Sequence, residues 1–200
     1  MVFFLAWGQG FEPQLMASKA TVLPLDDPQI SYLRSPNTSL KYTKNTKNTM
    51  LNFCYNINMQ KYVVAFVFNY DLSSVLLMHK NRPAWQNGLV NGLGGKVDEG
   101  EDTYTTVSRE IEEESGLEIP KESWVKAGRV YSDSFEMDVF GYIYEGGMSD
   151  ATTKENEPIE WFKVADLPSN TIENVPWLIH ITFDKLKNNN FELFEVKYKK

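Results

Sequence analysis

An α/β sandwich is the fold class that this chain predicts. From Lys61 onward, short β-branched and aromatic runs alternate with two helix-length segments, and the alternation extends over about 140 residues. Before that point, residues 1–58 show no sustained period of 2 or 3.6, so the patterned domain is placed at residues 59–200.

The N-terminal stretch contains Pro13, Pro24, Pro28 and Pro36 and then a Lys/Asn/Thr-rich tract, Lys41 to Thr49. It reads as a disordered or loosely attached arm over residues 1–58. Gly10 to Gln29 also resembles translations of sequence not normally read as protein, which makes Met59 a candidate start of the native product.

Tyr62 to Asn69, YVVAFVFN, has the β-branched and aromatic content of a buried strand. Asp71-Leu72-Ser73-Ser74 is a turn and Val75 to His79 a second strand, so the two form a hairpin. The segment Lys80 to Gly94, with Pro83, Asn87, Gly88 and Gly92, reads as a loop. A helix of about three to four turns follows, with Asp102 or Thr103 as N-cap and Gly116 as its left-handed stop. Strands are then expected at Trp124 to Tyr131, Phe135 to Glu145 and Ile159 to Val164. A second helix is expected at Glu173 to Lys187 and a last strand at Phe191 to Lys197.

Composition narrows the function classes. With 42% hydrophobic and 14% aromatic residues, 200 residues bury one domain and leave about fifty to spare. The formal charge of −7 argues against a general nucleic-acid binder, which needs a basic surface to displace counterions. Residues 1–58 hold five Lys/Arg against three Asp/Glu, which leaves fifteen against twenty-four beyond them, a net of −9. The single Cys54 excludes an intrachain disulfide, and His79 and His180 without Cys partners make a poor zinc site. Val63 to Phe68, the longest strongly apolar run, is about a third of what a bilayer requires. Met1 to Trp7 lacks a basic leader, so a cytoplasmic location is the expectation.

The chemistry concentrates between Gly95 and Leu117, GKVDEGEDTYTTVSREIEEESGL. Glu110, Glu113 and Glu114 stand at i, i+3 and i+4 and share one helix face, while Tyr104, Val107 and Ile111 form a stripe that can pack on a sheet. Like charges this close repel, and a bound divalent cation reverses that cost. Hard oxygen donors point to a hard divalent cation such as Mg²⁺, with Mn²⁺ as a substitute.

The spacing Gly-x5-Glu-x7-Arg-Glu-U-x-Glu-Glu-x-Gly-U, with U apolar, resembles the signature of the Nudix hydrolases at every fixed position. At ordinary residue frequencies its chance occurrence is roughly one in 10⁹ per starting point. The resemblance covers residues 59 to 200 and implies a mixed sheet between helices, with the box as a loop-helix-loop at its edge. It implies that the Gly95 carbonyl and the carboxylates of Glu110, Glu113 and Glu114 hold metal, that Arg109 orients a neighbouring glutamate, and that Glu101 is a supporting hydrogen-bond partner. On the same resemblance the general base is expected to be Glu113 or Glu114, with an acid from Glu155-Asn156-Glu157 as a further candidate, because a late acidic loop completes the metal site in some relatives.

Leu76 to Lys80 and Asn91 to Val97 resemble the branch of the family that removes oxidised purine nucleoside triphosphates. Trp85, Phe135 and Trp177 are candidate base stackers. Glu173 and Asn174 lie near the acidic base readers of some such enzymes, although Thr171 stands where the aromatic partner is expected. The expected activity is Mg²⁺-dependent hydrolysis of a nucleoside triphosphate to the monophosphate and pyrophosphate. The alternatives are a hydrolase of another nucleoside diphosphate derivative, such as a sugar nucleotide or dinucleotide, and a nucleotide-sensing module without turnover. Inactive relatives commonly lose a box glutamate, and this chain keeps them all.

Overall fold

The computed structural model describes residues 59–188 and 192–199, together with the backbone of residues 21–24 and 31–34. The chain divides into two compact units, Met1–Met59 and Gln60–Lys200. In the first, β1 (Thr21–Pro24) and β2 (Ser31–Arg34) pair antiparallel. Apart from these two strands, the expected disordered arm and Cys54 lie outside the described residues.

The second unit begins with β3 (Gln60–Asn69) and β4 (Ser74–His79). Their turn closes where Asp71 accepts the Ser73 N–H at 2.9 Å and Leu72 takes a φ of 61°. A short strand, β5 (Val90–Asn91), lies within what the sequence reads as loop. Then come α1 (Thr103–Ser115), β6 (Val125–Tyr131), β7 (Phe135–Tyr144) and β8 (Ile159–Lys163). The unit ends with α2 (Val175–Asn188) and β9 (Phe194–Lys197). The second helix therefore starts two residues later than its expected Glu173, and the last strand begins at Phe194 instead of Phe191.

The sheet is mixed. Its order is β5-β4-β3-β7-β6-β9, with β8 on β4; β3 and β7 run parallel in full register from Gln60↔Phe135 to Asn69↔Tyr144, as do β6 and β9. Because side chains alternate along a strand, Val63, Ala65 and Val67 enter one core with Val107 and Ile111 of α1. Val64, Phe66 and Phe68 enter another with Val175, Leu178 and Ile179 of α2. β3 is buried on both faces, which explains its unbroken apolar run. The result is a helix-sheet-helix sandwich.

β3 and β4 pair only at Val67↔Leu76 and Phe68↔Val75. Beyond that the strands part, and residues 90–97 pass between them: Asn91 bridges Met78 on β4, while Leu93 and Lys96 bridge Ala65 and Tyr62 on β3. This fork explains β5. Its only cue in the sequence was a Gly-rich stretch, because its pairing is supplied by strands distant in sequence.

We propose that the second unit is self-sufficient, and a chain beginning at Met59 is expected to keep its Tm within a few degrees and kcat/KM within about threefold, near 0.6 kcal/mol. Thermal unfolding and steady-state kinetics check this; an insoluble or inactive product would place essential contacts in residues 1–58.

Candidate functional site

The fork delivers a glycine pair to one end of α1. Gly94 has a φ of +132°, and a Cβ there would lie 2.4 Å from the Val63 carbonyl oxygen, so only glycine fits. At Gly95 a Cβ would lie 2.5 Å from the Glu110 carboxylate, which means that this acid rests directly on the glycine backbone. The Gly95 carbonyl accepts the Val63 N–H at 2.9 Å.

α1 is held at both ends by its own caps. Asp102 accepts the N–H groups of Tyr104 and Thr105 at 3.0 and 3.1 Å, and Gly116 closes the helix at φ 73°. Val107 and Ile111 are fully buried beneath it, and the Tyr104 ring packs edge-on against Phe140 at 4.9 Å. Arg109 makes a fork to Glu101 at 3.2 and 3.1 Å and also donates to Glu110 at 2.8 Å and Glu113 at 3.1 Å. Glu101 accepts Thr106 Oγ1 as well, at 2.7 Å. The hydrogen bond from Arg109 leads the causes that hold the Glu101 carboxyl below its ordinary range.

Glu114 is 5% exposed and accepts the Gly94 N–H at 2.8 Å. Burial pushes its pKa up to about 8, against relief from Gly94 and Lys80. Burial likewise raises Glu110, partly offset by Arg109. Glu157 is also buried, yet hydrogen bonds from Lys80 and from the Asn81 and Arg82 N–H groups outweigh burial and leave its pKa lowered. Glu155 pairs with Arg82 at 3.3 Å.

Glu110, Glu114, Glu155 and Glu157 line one cleft of about 420 Å³ over Gly94 and Gly95, together with Lys80, Arg82 and Lys96. Of the residues singled out in the sequence, the cleft gathers Gly95, Glu110, Glu114, Glu155 and Glu157. Glu113 is not part of its lining and lies half-exposed on Arg109. Phe135 is 8% exposed and packed in the α2-side core. Trp85 sits half-buried in a 3-10 turn, Ala84–Gln86, and Trp177 packs on Phe194 at 5.9 Å. Glu173 is exposed, and the Asn174 carbonyl accepts the Leu178 N–H. Lys80 and Lys96 enter the sequence reading only as members of runs such as Leu76–Lys80 and Asn91–Val97, with no role of their own, and Arg82 is not singled out in it; nothing local pairs Lys80 with Glu157, which stands 77 positions away.

Among the described residues, no three acidic, histidine or cysteine side chains converge as a metal cluster. Each box carboxylate is turned to a protein donor instead, Glu110 and Glu113 to Arg109 and Glu114 to Gly94. The donor set still fits a hard divalent cation, since carboxylates and the glycine backbone that Glu110 rests on are all oxygen ligands around one open cleft.

The raised acids have a measurable consequence. A carboxylate whose folded pKa lies near 8 against an ordinary 4.5 binds more protons folded than unfolded between those values, so its contribution to stability falls as pH rises through that window. Glu101, Glu157 and Asp138, the last held down against its burial by hydrogen bonds from Lys126 and Arg129, are lowered and act with the opposite sign, only below the ordinary carboxylate range. In chelator, Tm is expected to fall by several degrees between about pH 5 and about pH 8.5, and millimolar Mg²⁺ is expected to flatten the fall. A level Tm in chelator, followed by calorimetry, would contradict it.

The NUDIX domain family profile matches residues 59–182. A search of curated proteins gives no match. Among solved structures, the chain is similar to a MutT from a study of Aliivibrio salmonicida and Vibrio cholerae, at 24% identity over 62% of this chain and 97% of that one, TM-score 0.50. It is similar to the NUDIX domain of Shewanella oneidensis NrtR, determined with ADP ribose, at 21% identity over 64% and 88%, TM-score 0.53. An ADP-ribose pyrophosphatase from Streptococcus suis matches at 17% identity over 70% and 98%, TM-score 0.51. At these identities the likeness is one of fold.

Proposed function

The chain belongs to the NUDIX family, and from that premise we propose that it is a Mg²⁺-dependent pyrophosphohydrolase cleaving a nucleoside triphosphate to the monophosphate and pyrophosphate, with oxidised purine nucleotides as candidate substrates. The observation that carries this reading is the cleft: carboxylates, the cations Arg82 and Lys96 and a glycine backbone line one cavity, a set that complements a polyphosphate bridged by divalent ions.

Nudix hydrolases generally use divalent metals. When bound, such an ion neutralises phosphate charge and lowers the pKa of a water. Glu110, Glu114 and Glu155, with the Gly95 carbonyl, would hold it, and Glu113 stands beside that set on α1. Arg109 fixes Glu110 against Gly95 before any substrate arrives, since its guanidinium is itself anchored on Glu101. Of the two candidate bases, Glu114 is the better placed. It faces the cleft, and the Gly94 N–H engages only one of its oxygens. Lys96, and Arg82 from its exposed pairing with Glu155, supply counter-charge to phosphates, whereas the charge of Lys80 is met by the buried Glu157.

The second reading, a different nucleoside diphosphate derivative, is favoured by Thr171. Its Oγ1 donates to the Pro168 carbonyl at 2.6 Å, and it offers no ring to stack a purine. A panel of nucleotides with Mg²⁺ tests the choice: at least one purine nucleoside triphosphate is expected to be hydrolysed with pyrophosphate as the direct product. Orthophosphate as direct product, or activity confined to sugar nucleotides, would favour the second reading.

A further inference from the structure

Glu157 is the most buried acid at the cleft, 2% exposed, and the mechanism above gives it no part. Its carboxylate is already engaged. One oxygen accepts the Asn81 N–H at 2.7 Å and the Arg82 N–H at 3.1 Å, and the other accepts Lys80 Nζ. Three donors thus occupy a group with about four acceptor positions. The same two segments meet twice more, where Asn81 Nδ2 donates to the Asn156 carbonyl at 3.2 Å and Arg82 pairs with Glu155.

We propose that Glu157 is a positioning residue: it staples the segment after β4 to the segment before β8 and so holds Glu155 and Arg82 at the mouth of the cleft, without itself touching metal or substrate. The inference rests on the proposed function for its kinetic consequence. The Glu155 segment is fastened on its other side to the end of α1, where Thr152 and Lys154 N–H groups donate to the Ser115 and Glu114 carbonyls at 2.9 and 3.2 Å. Glu155 therefore hangs between two anchors, and Glu157 provides the one that faces Lys80. Glutamine at this position keeps the length and an acceptor for the two backbone N–H groups, but loses the charge that holds Lys80.

In the full chain, Glu157→Gln is expected to lower kcat about tenfold and to lower Mn²⁺ affinity, measured by calorimetry, by no more than Glu155→Gln does, because it loosens that ligand and removes none of its own. Added to Glu155→Gln it should cost less than about twofold more, because it acts through Glu155. Amide exchange at Asn81 and Arg82 should quicken. A loss of Mn²⁺ affinity larger than that of Glu155→Gln, or one that adds fully to it in the double variant, would make Glu157 a ligand and overturn the proposal. So would an undiminished effect in the Glu155→Gln background, or an unchanged kcat in an active enzyme. If Glu157→Gln does not fold, Lys80→Met/Glu157→Gln removes both charges together and takes its place in the same measurements. A native chain that hydrolyses no nucleotide would overturn the functional reading alone. The Mn²⁺ and exchange measurements would then decide the staple, with unchanged exchange at Asn81 and Arg82 counting against it.

Discussion

Glu114→Gln is expected to lower kcat by about a hundredfold or more, the range seen when a general base or metal ligand is lost. The fold should survive. Glutamine keeps the acceptor that the Gly94 N–H reaches at 2.8 Å, and it removes a charge that burial already disfavours, so the Tm of the variant should equal or exceed that of the native chain near pH 8. Glu113→Gln provides the comparison, since that side chain lies half-exposed on Arg109. Native turnover in both folded variants would sink the assigned mechanism.

Gly94→Ala is expected to cost about 3 kcal/mol or more of stability. Two penalties coincide there: a φ of +132° that side chains rarely adopt, and a Cβ 2.4 Å from the Val63 carbonyl oxygen, where only backbone could move. Gly88→Ala separates them. Gly88 has a φ of +81° with nothing within 4 Å of the added atom, so it should lose only about 1 kcal/mol. Urea unfolding of the two variants gives the comparison, and equal losses would remove the steric argument.

Local chemistry made most of this molecule legible. The Asp102 cap, the Gly116 stop and the stripe of Val107 and Ile111 define α1 within its own sequence, and the doubly buried β3 shows in its unbroken apolar run. What depends on distant partners was not legible. β5 exists only because β4 pairs with it, and Lys80 becomes a cleft residue only through Glu157. Phe135 shows the same limit from the other side, because an aromatic residue that serves as a candidate stacker in sequence is a core residue once β7 lies against α2. The box glutamates were legible as a helix face, but the direction each one takes is set by Arg109 and the Gly94 N–H.

The forked sheet also bears on the order in which the molecule assembles and comes apart. The β3–β4 turn closes a loop of only a few residues, a small entropic cost, whereas residues 90–97 have no place to pair until both arms of that hairpin stand apart in position. The glycine strip is thus a dependent guest of a scaffold whose longest ladder, β3 on β7, does not include it. A transient opening that releases the strip would dismantle the cleft and leave that ladder paired, so the site can be lost by local unfolding well before the domain is.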